Sequence, residues 1–162
     1  MSGEFDLTLD EKSRLMIPAQ FRKRINPTAH GEAFYLVVSA DRTLWMYPQL
    51  YYEWLKTRTP ADDLSTEAQL DLDRLNFALG GGIAETDKAG RVVIPERVRR
   101  RIGLGKELTV IGARDRIEVW NRDAWAAYSD GLLARGKEIT EQARTARKGE
   151  TPAGPGAATH GG

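Results

Sequence analysis

The stretch DEKSRLMIP at residues 10–18 recurs as DKAGRVVIP at residues 87–95, and these two stretches decide the fold. Each is followed by a short basic segment, FRKRI at residues 21–25 and VRRRI at residues 98–102. Chance seldom places the same residue types at fixed spacing twice in one short chain, so we interpret the stretches as two copies of one repeat. The coinciding pairs are Asp10 and Asp87, Arg14 and Arg91, Ile17 and Ile94, Pro18 and Pro95, Arg22 and Arg99, and Ile25 and Ile102.

Each copy predicts a strand, a turn, a second strand and a short helix. Apolar and polar residues alternate over residues 5–9, which is the period of a half-buried strand. Polar residues then interrupt the apolar pattern at 10–13 and at 87–90, as expected of turns. Pro18 and Pro95 suit the first position of a helix, where the missing N–H is not needed.

A hairpin and a further helix are predicted to complete each copy. Its strands lie near residues 34–38 and 43–47 in the first copy, and near 107–111 and 116–120 in the second. Asn121 is the expected cap of the helix after the second hairpin. The fold class is therefore mainly β with short helices (α+β). So small a β unit cannot bury its own apolar face, so two units must pair, within one chain or between chains.

Changes in composition divide the chain into five segments. Between the copies, Ser65 can cap a helix with an apolar stripe at Ala68, Leu72, Leu75 and Leu79. The end of the chain is rich in Gly, Pro, Ala and Thr, has little to bury and is predicted to be disordered. The predicted segments are a first repeat at 3–58, a connecting segment with a helix at 59–82, a second repeat at 83–133, the end of a C-terminal helix at 134–148 and a tail at 149–162.

The composition excludes several classes of protein. No stretch approaches twenty apolar residues, which predicts no membrane span, and residues 1–10 do not resemble a signal peptide. The chain has no cysteine, and its only histidines are His30 and His160. No metalloprotease, P-loop, nucleophile-elbow or dinucleotide motif is present. We therefore predict a protein that is not an enzyme, with no catalytic residue, metal ligand, cofactor or small-molecule substrate.

Charge is unevenly distributed along the sequence. The formal net charge is +1, but basic residues gather at 12–24 and again at 88–101, while acidic residues dominate 62–73. Two basic clusters in a nearly neutral chain indicate a polyanion that one face of the protein binds. The alternative, that these charges are only solvated helix faces, stays open on charge alone.

The repeated turn offers a specific way to bind such a polyanion. In both copies an aspartate opens the turn and can accept backbone N–H bonds that fix it. The arginine that leaves the turn carries a planar fork suited to phosphate oxygens or to guanine O6 and N7. An Asp–Arg pair can also do no more than stabilise a loop, but the duplication favours binding. The candidate DNA-binding residues are Arg14, Arg91, Lys12, Lys88, Arg22 and Arg99.

These two turns, with the helix between the copies and the strand at 116–120, resemble the paired signature of the MraZ transcriptional regulators. The resemblance covers about residues 3–133, although Ser13 stands where the family usually has glycine in the first turn. It implies the SpoVT-AbrB fold, with two swapped-hairpin repeats that pair into an intramolecular pseudo-dimer. It also places Arg14 and Arg91 on the family's DNA-contacting positions, with Lys12 beside Arg14.

The resemblance further implies a repressor of the bacterial cytoplasm, associated with the nucleoid. Such a protein acts at its own promoter, ahead of genes for cell division and wall synthesis, by recognising short direct repeats in double-stranded DNA. Family members assemble into ring-like homo-oligomers. Two alternatives remain: another AbrB-fold regulator, such as a transition-state regulator or antitoxin, and an oligomeric scaffold whose basic turns make only subunit contacts.

Overall fold

The computed structural model describes residues 1–58 and 66–149 of the chain, which fall into two units that divide after Trp125. The strands are β1 Ser2–Thr8, β2 Arg14–Met16, β3 Ala33–Val38, β4 Leu44–Pro48, β5 Gly82–Glu85, β6 Arg91–Val93, β7 Glu107–Ala113 and β8 Arg116–Asn121. The helices are α1 Ala19–Arg22, α2 Pro27–His30, α3 Gln49–Arg58, α4 Glu67–Asp73 with a π-helical segment Arg74–Ala78, α5 Glu96–Ile102, α6 Arg122–Ala134 and α7 Gly136–Gly149. The predicted α+β fold is confirmed.

The eight strands form one large sheet and one ribbon. Six strands make an antiparallel sheet in the order β1-β7-β8-β4-β3-β5, and β2 and β6 pair with each other in a separate two-stranded ribbon. Both predicted hairpins are present, β3 with β4 and β7 with β8.

Strands of one copy pair with strands of the other copy. The first strand of each copy pairs with the third strand of the other, β1 with β7 and β5 with β3. The fourth strands, β4 and β8, pair in the middle of the sheet. Matching hydrogen bonds extend the ribbon, because Ile17 N–H donates to Gly90 O at 2.9 Å and Ile94 N–H donates to Ser13 O at 3.0 Å.

The core fills the space between the ribbon, the short helices and one face of the sheet. Leu15, Ile17, Val92 and Ile94 are completely buried. Phe21 of α1 and Val98 of α5 pack into the same cluster as the inward residues of β3, β4, β7 and β8. Each of these helices therefore anchors its copy of the repeat through a buried side chain at the same place in the repeat.

The side chains at two helix starts differ from the predicted caps, although α6 begins at Arg122, directly after Asn121. Thr66 caps α4, its hydroxyl accepting from Gln69 N–H at 3.2 Å, whereas the predicted cap Ser65 lies outside the described residues. Asn121 ends β8, and its side chain accepts from Gly105 N–H and donates to Gly103 O. Its side chain therefore fixes the loop that follows α5.

The predicted apolar stripe of α4 is only partly buried. Leu72 is 44% exposed, whereas Leu75 and Leu79 pack against the core. The π-helical segment Arg74–Ala78 causes this change, since its wider turns rotate the following residues relative to an α-helix.

The remaining predicted segments lie at the end of the chain. Helices α6 and α7 are separated at Arg135, and Gly149 is the last described residue. The rest of the predicted disordered tail lies outside the described residues, and the segment boundaries stay predictions. Within the described ranges, no helix is both long and apolar enough to cross a membrane.

Candidate nucleic-acid interface

The first turn is organised by a single carboxylate. Oδ1 of Asp10 accepts from the backbone N–H groups of Lys12 and Arg14, both at 2.9 Å. Its Oδ2 accepts from Arg14 Nε at 2.6 Å, and Ser13 N–H donates to the backbone oxygen of Asp10. Ser13 has a φ of 59°, in the left-handed region. The turn and the arginine that leaves it are therefore held by the same aspartate.

The second turn repeats this arrangement. Oδ1 of Asp87 accepts from Ala89 and Arg91 N–H at 2.9 Å, and its Oδ2 accepts from Arg91 Nε at 2.9 Å. The backbone oxygen of Asp87 accepts from Gly90 N–H, and Gly90 has a φ of 86°. The internal match seen in the sequence is thus also a match of hydrogen bonds.

Both aspartates have a pKa below the ordinary value. The largest cause is the backbone N–H of the arginine four residues later, and the arginine side chain also lowers the pKa of each carboxyl. Both aspartates are therefore charged near neutral pH. A guanidinium has five N–H donors, and one carboxylate side-on to Nε engages at most two of them. Arg14 and Arg91 keep donors for a phosphate or a base edge.

The ribbon brings the two arginines onto one surface. Arg14 pairs with Val93 and Met16 pairs with Arg91, so the arginines are two positions apart, about 7 Å along the ribbon. Leu15 and its partner point to the opposite, buried face. The outward face of the ribbon therefore carries two arginines with Met16, which is 41% exposed, and Val93, which is 53% exposed.

The exposed Met16 and Val93 are absent from the sequence-based site. After its arginine, each strand continues as an unbroken apolar run, so the sequence does not distinguish core side chains from those beside the arginines. Only their register with Arg14 and Arg91, two residues away on the same strands, could have revealed them.

The other predicted site residues surround the ribbon. Lys12 and Lys88 are exposed in the turns, at neighbouring rather than equivalent positions. Arg22 of α1 donates from Nε to Ile17 O at 3.0 Å. Arg22 and Lys88 line one groove of about 410 Å³ beside the second turn. Arg99 of α5 is half-buried, and its Nε has no hydrogen-bond partner among the described residues.

Other parts of the basic clusters have structural partners. Arg100 pairs with Glu96 on α5 at 2.6 Å, so part of this charge is neutralised within the helix. In the part of the chain that the structure describes, no three His, Cys, Asp or Glu side chains are grouped so as to hold a metal ion. The chemistry available at this surface is therefore that of arginine and lysine donors beside apolar side chains.

Comparison with known proteins identifies a family. The sequence model of the MraZ protein family matches residues 1–75 and 79–148. A relative from Carboxydothermus hydrogenoformans, named Transcriptional regulator MraZ, is 33% identical over 140 residues, covering 86% of this chain and 94% of the relative. Proteins with the same name from Heliobacterium modesticaldum and Symbiobacterium thermophilum are each 31% identical over 86% of this chain, covering 94% and 97% of their own lengths.

Proposed function

Because this chain belongs to the MraZ family of transcriptional regulators, we propose that it regulates transcription by binding DNA through its two Asp–Arg turns. The observation that carries this proposal is the outward face of the β2–β6 ribbon. There Arg14 and Arg91, each aligned by its own aspartate, lie two positions apart on one surface. Two-stranded ribbons fit the major groove of B-DNA, where guanine presents two acceptors to an arginine fork.

The remaining basic residues complete the proposed interface. Lys12 and Lys88 extend the positive charge from the turns toward the phosphates, and Arg22 and Arg99 flank the ribbon from α1 and α5. Met16 and Val93 offer apolar contacts between the arginines, of the kind that thymine methyl groups accept. A surface with both fork donors and apolar side chains is suited to reading sequence as well as to binding charge.

The proposed biological role follows the family resemblance. We propose a cytoplasmic, nucleoid-associated repressor that binds short direct repeats in its own promoter, ahead of division and cell-wall genes, as a ring-like homo-oligomer. The exchange of strands between the two copies supports the proposed intramolecular pseudo-dimer, since β1 pairs with β7 and β5 pairs with β3. One pseudo-dimer presents only two turns, so an oligomer on several repeats gains affinity through effective concentration.

Salt dependence tests the proposed mode of binding. The duplex is the region upstream of the protein's own coding sequence, and a scrambled duplex of equal composition is the control. We expect the affinity to fall linearly with salt concentration on logarithmic axes, because bound arginines and lysines release counterions from the phosphates. Affinity that does not change with salt, or that is equal for the two duplexes, would contradict specific binding through this surface.

Replacement of the two arginines tests the site itself. Arg14→Ala and Arg91→Ala should each weaken binding to the upstream duplex by about 1–3 kcal/mol, and the double variant should abolish its preference over the scrambled duplex. Neither arginine is buried in the core, so circular dichroism and size-exclusion chromatography should match the unmodified protein. Arg74→Ala is the matched control, because Arg74 is exposed and pairs with Asp71 and Glu67 on α4.

The scaffold alternative makes the opposite prediction for the same variants. If the turns make only subunit contacts, the oligomer of the double variant dissociates. Its affinity for DNA is then the same as that of the unmodified protein. A double variant that is folded, assembled and binds with full affinity would remove both turns from the DNA interface.

A further inference from the structure

Arg22 of the first copy lies across the turn of the second copy. A Cβ added to Gly90 would come within 2.7 Å of Arg22 Cζ and Nη1 and within 2.8 Å of its Cδ. These distances are shorter than any van der Waals contact, so the guanidinium rests against the bare backbone of Gly90. Glycine at this position suits the φ of 86° and leaves the space that Arg22 occupies.

Hydrogen bonds fix the guanidinium in this place. Arg22 Nε donates to Ile17 O at 3.0 Å, and the N–H of the same Ile17 donates to Gly90 O at 2.9 Å. Ile17 is completely buried, so the acceptor of the arginine belongs to a residue packed in the core. Arg22, Ile17 and Gly90 thus form a closed arrangement that joins helix α1 to the second turn.

The corresponding arrangement is missing at the first turn. In the repeat alignment, Ser13 corresponds to Gly90 and Arg99 corresponds to Arg22. The ribbon bond is kept, since Ile94 N–H donates to Ser13 O. Arg99 Nε, however, is buried without a hydrogen-bond partner among the described residues, so it makes no equivalent bond to Ile94 O. Ser13 carries the Cβ that Gly90 lacks, and a Cβ at this place in the turn excludes a guanidinium.

We propose that Arg22 is a positioning residue that holds the second turn, and through it Arg91, so that the two DNA-binding turns are unequal. The second turn is held from outside by Arg22 of α1, whereas the first has, among the described residues, only the bonds of Asp10 and the ribbon bond from Ile94 N–H to Ser13 O. A turn held in its binding geometry loses less conformational entropy on binding, so the second turn anchors the protein and the first adapts. This inference rests on the proposed function only for its effect on DNA.

Arg22 flanks the proposed interface, but in this inference it acts by holding the second turn and not by contacting a phosphate, and the two roles differ measurably. A lysine keeps the positive charge but has neither the planar fork nor the Nε that bonds Ile17 O. Arg22→Lys should therefore weaken binding to the upstream duplex about as much as Arg22→Ala, by roughly 3- to 10-fold. Neither substitution should change the slope of log affinity against log salt concentration. The magnitude of that slope decreases by about 1 for each phosphate contact that is lost. Full affinity in Arg22→Lys, or a slope reduced by Arg22→Ala, would overturn the proposal.

Hydrogen exchange tests the same inference without DNA. The amides at 89–91 are bonded within the second turn and those at 12–14 within the first. Arg22→Lys should speed exchange at 89–91 and leave 12–14 unchanged, while strand amides of β7 and β8 in the same samples report that the fold is intact. Arg99→Lys is the matched control and should leave exchange in both turns unchanged.

The exchange result separates the inference from the proposed function. If the protein does not bind the upstream duplex but Arg22→Lys loosens only 89–91, the inference about the turn stands and the proposed function fails. Unchanged exchange at 89–91 in Arg22→Lys, or an equal effect of Arg99→Lys on 12–14, would overturn the inequality of the turns.

Discussion

Each Asp–Arg turn depends on one carboxylate that binds the backbone and the arginine together. In the first turn, Asp10 accepts from two backbone N–H groups and from Arg14 Nε, and Asp87 does the same in the second. The ionised form makes all these bonds, so folding lowers the pKa of both carboxyls. The charge of the aspartate is therefore part of the geometry of the arginine.

Acid should loosen both turns before it unfolds the core. The pKa of each aspartate is lower in the folded protein than its ordinary value of 3.8, so its contribution to stability is complete above that value. The contribution is lost as the pH falls through the lowered pKa, because the unfolded chain then binds more protons. We expect hydrogen exchange at 12–14 and 89–91 to accelerate, relative to the intrinsic rate, between about pH 5 and pH 2.

A variant without these carboxylates supplies the control. The double variant Asp10→Asn and Asp87→Asn should show fast exchange in both turns at neutral pH and little further change in acid. Protection of the turns that is independent of pH in the unmodified protein, or that survives in the double variant, would contradict the role given to the two aspartates.

The sequence predicts the turns better than it predicts what surrounds them. The Asp–Arg spacing specifies local hydrogen bonds, and these form within five consecutive residues. The contact of Arg22 with Gly90 joins residues far apart in the chain, so it depends on the pairing of β2 with β6. No local pattern in the sequence encodes that pairing. The sequence shows that Ser13 takes the place of Gly90 in the first turn, but the contact of Arg22 with Gly90 is seen only in the structure.

At the scale of elements, the central strand pair carries a polar cluster on the face opposite the core. Glu118 of β8 lies opposite Trp45 of β4 and is only 7% exposed. Arg116 Nη2 lies 2.7 Å from Glu118 Oε1, and Trp120 Nε1 donates to Oε2 at 3.0 Å. The Arg116 guanidinium stacks over Trp45 at 4.1 Å from the ring centroid. One carboxylate thus accepts from two side chains of its own strand, Arg116 and Trp120.

Loss of this carboxylate should destabilise the sheet. Glu118→Ala removes the carboxylate that accepts from Arg116 and Trp120 on a nearly buried surface, and we expect the free energy of unfolding to fall by about 1–3 kcal/mol. Glu118→Gln keeps an oxygen acceptor and should be less severe. The measurement is urea unfolding followed by circular dichroism. Glu107→Ala is the control, since Glu107 is 77% exposed and lies 3.7 Å from Arg122, and it should change stability by less than about 0.5 kcal/mol. Equal effects of Glu118→Ala and Glu107→Ala would contradict this role.

Elements were predictable where one local pattern determines them. Alternating apolar residues and turn residues predict both hairpins, and Gly103 ends α5 in the left-handed conformation that favours glycine. The cap of α6 was not predictable from Asn121, because its amide is taken by the loop after α5. The wider turns of Arg74–Ala78 leave no mark in the sequence, so the burial of the stripe on α4 was overestimated.

At the scale of the whole molecule, neither copy of the repeat completes its own structure. β2 has no strand partner but β6 among the described residues, and β1 pairs with β7. The buried residues of the ribbon, Leu15 and Val92, come one from each copy. The sequence predicts that two units must pair, and the structure adds which strands are exchanged. The stability of each copy should therefore depend on the other.

Separation of the copies tests this dependence. The fragment of residues 1–58 contains β1 and β2 without β6 and β7, so it exposes Leu15, Ile17 and Phe21, which are completely buried in the whole chain. In the fragment, β2 has lost its partner strand β6. The apolar surface that remains buried is then too small to offset the conformational entropy lost on folding. We expect the fragment to be unfolded as a monomer, and to gain strand content only when it self-associates or when the fragment of residues 66–149 is added. Circular dichroism and light scattering over a range of concentrations measure both quantities. A monomeric fragment with the strand content and cooperative unfolding of the whole chain would show that the first copy folds alone. The exchanged strands would then not be needed to hold the two turns on one surface.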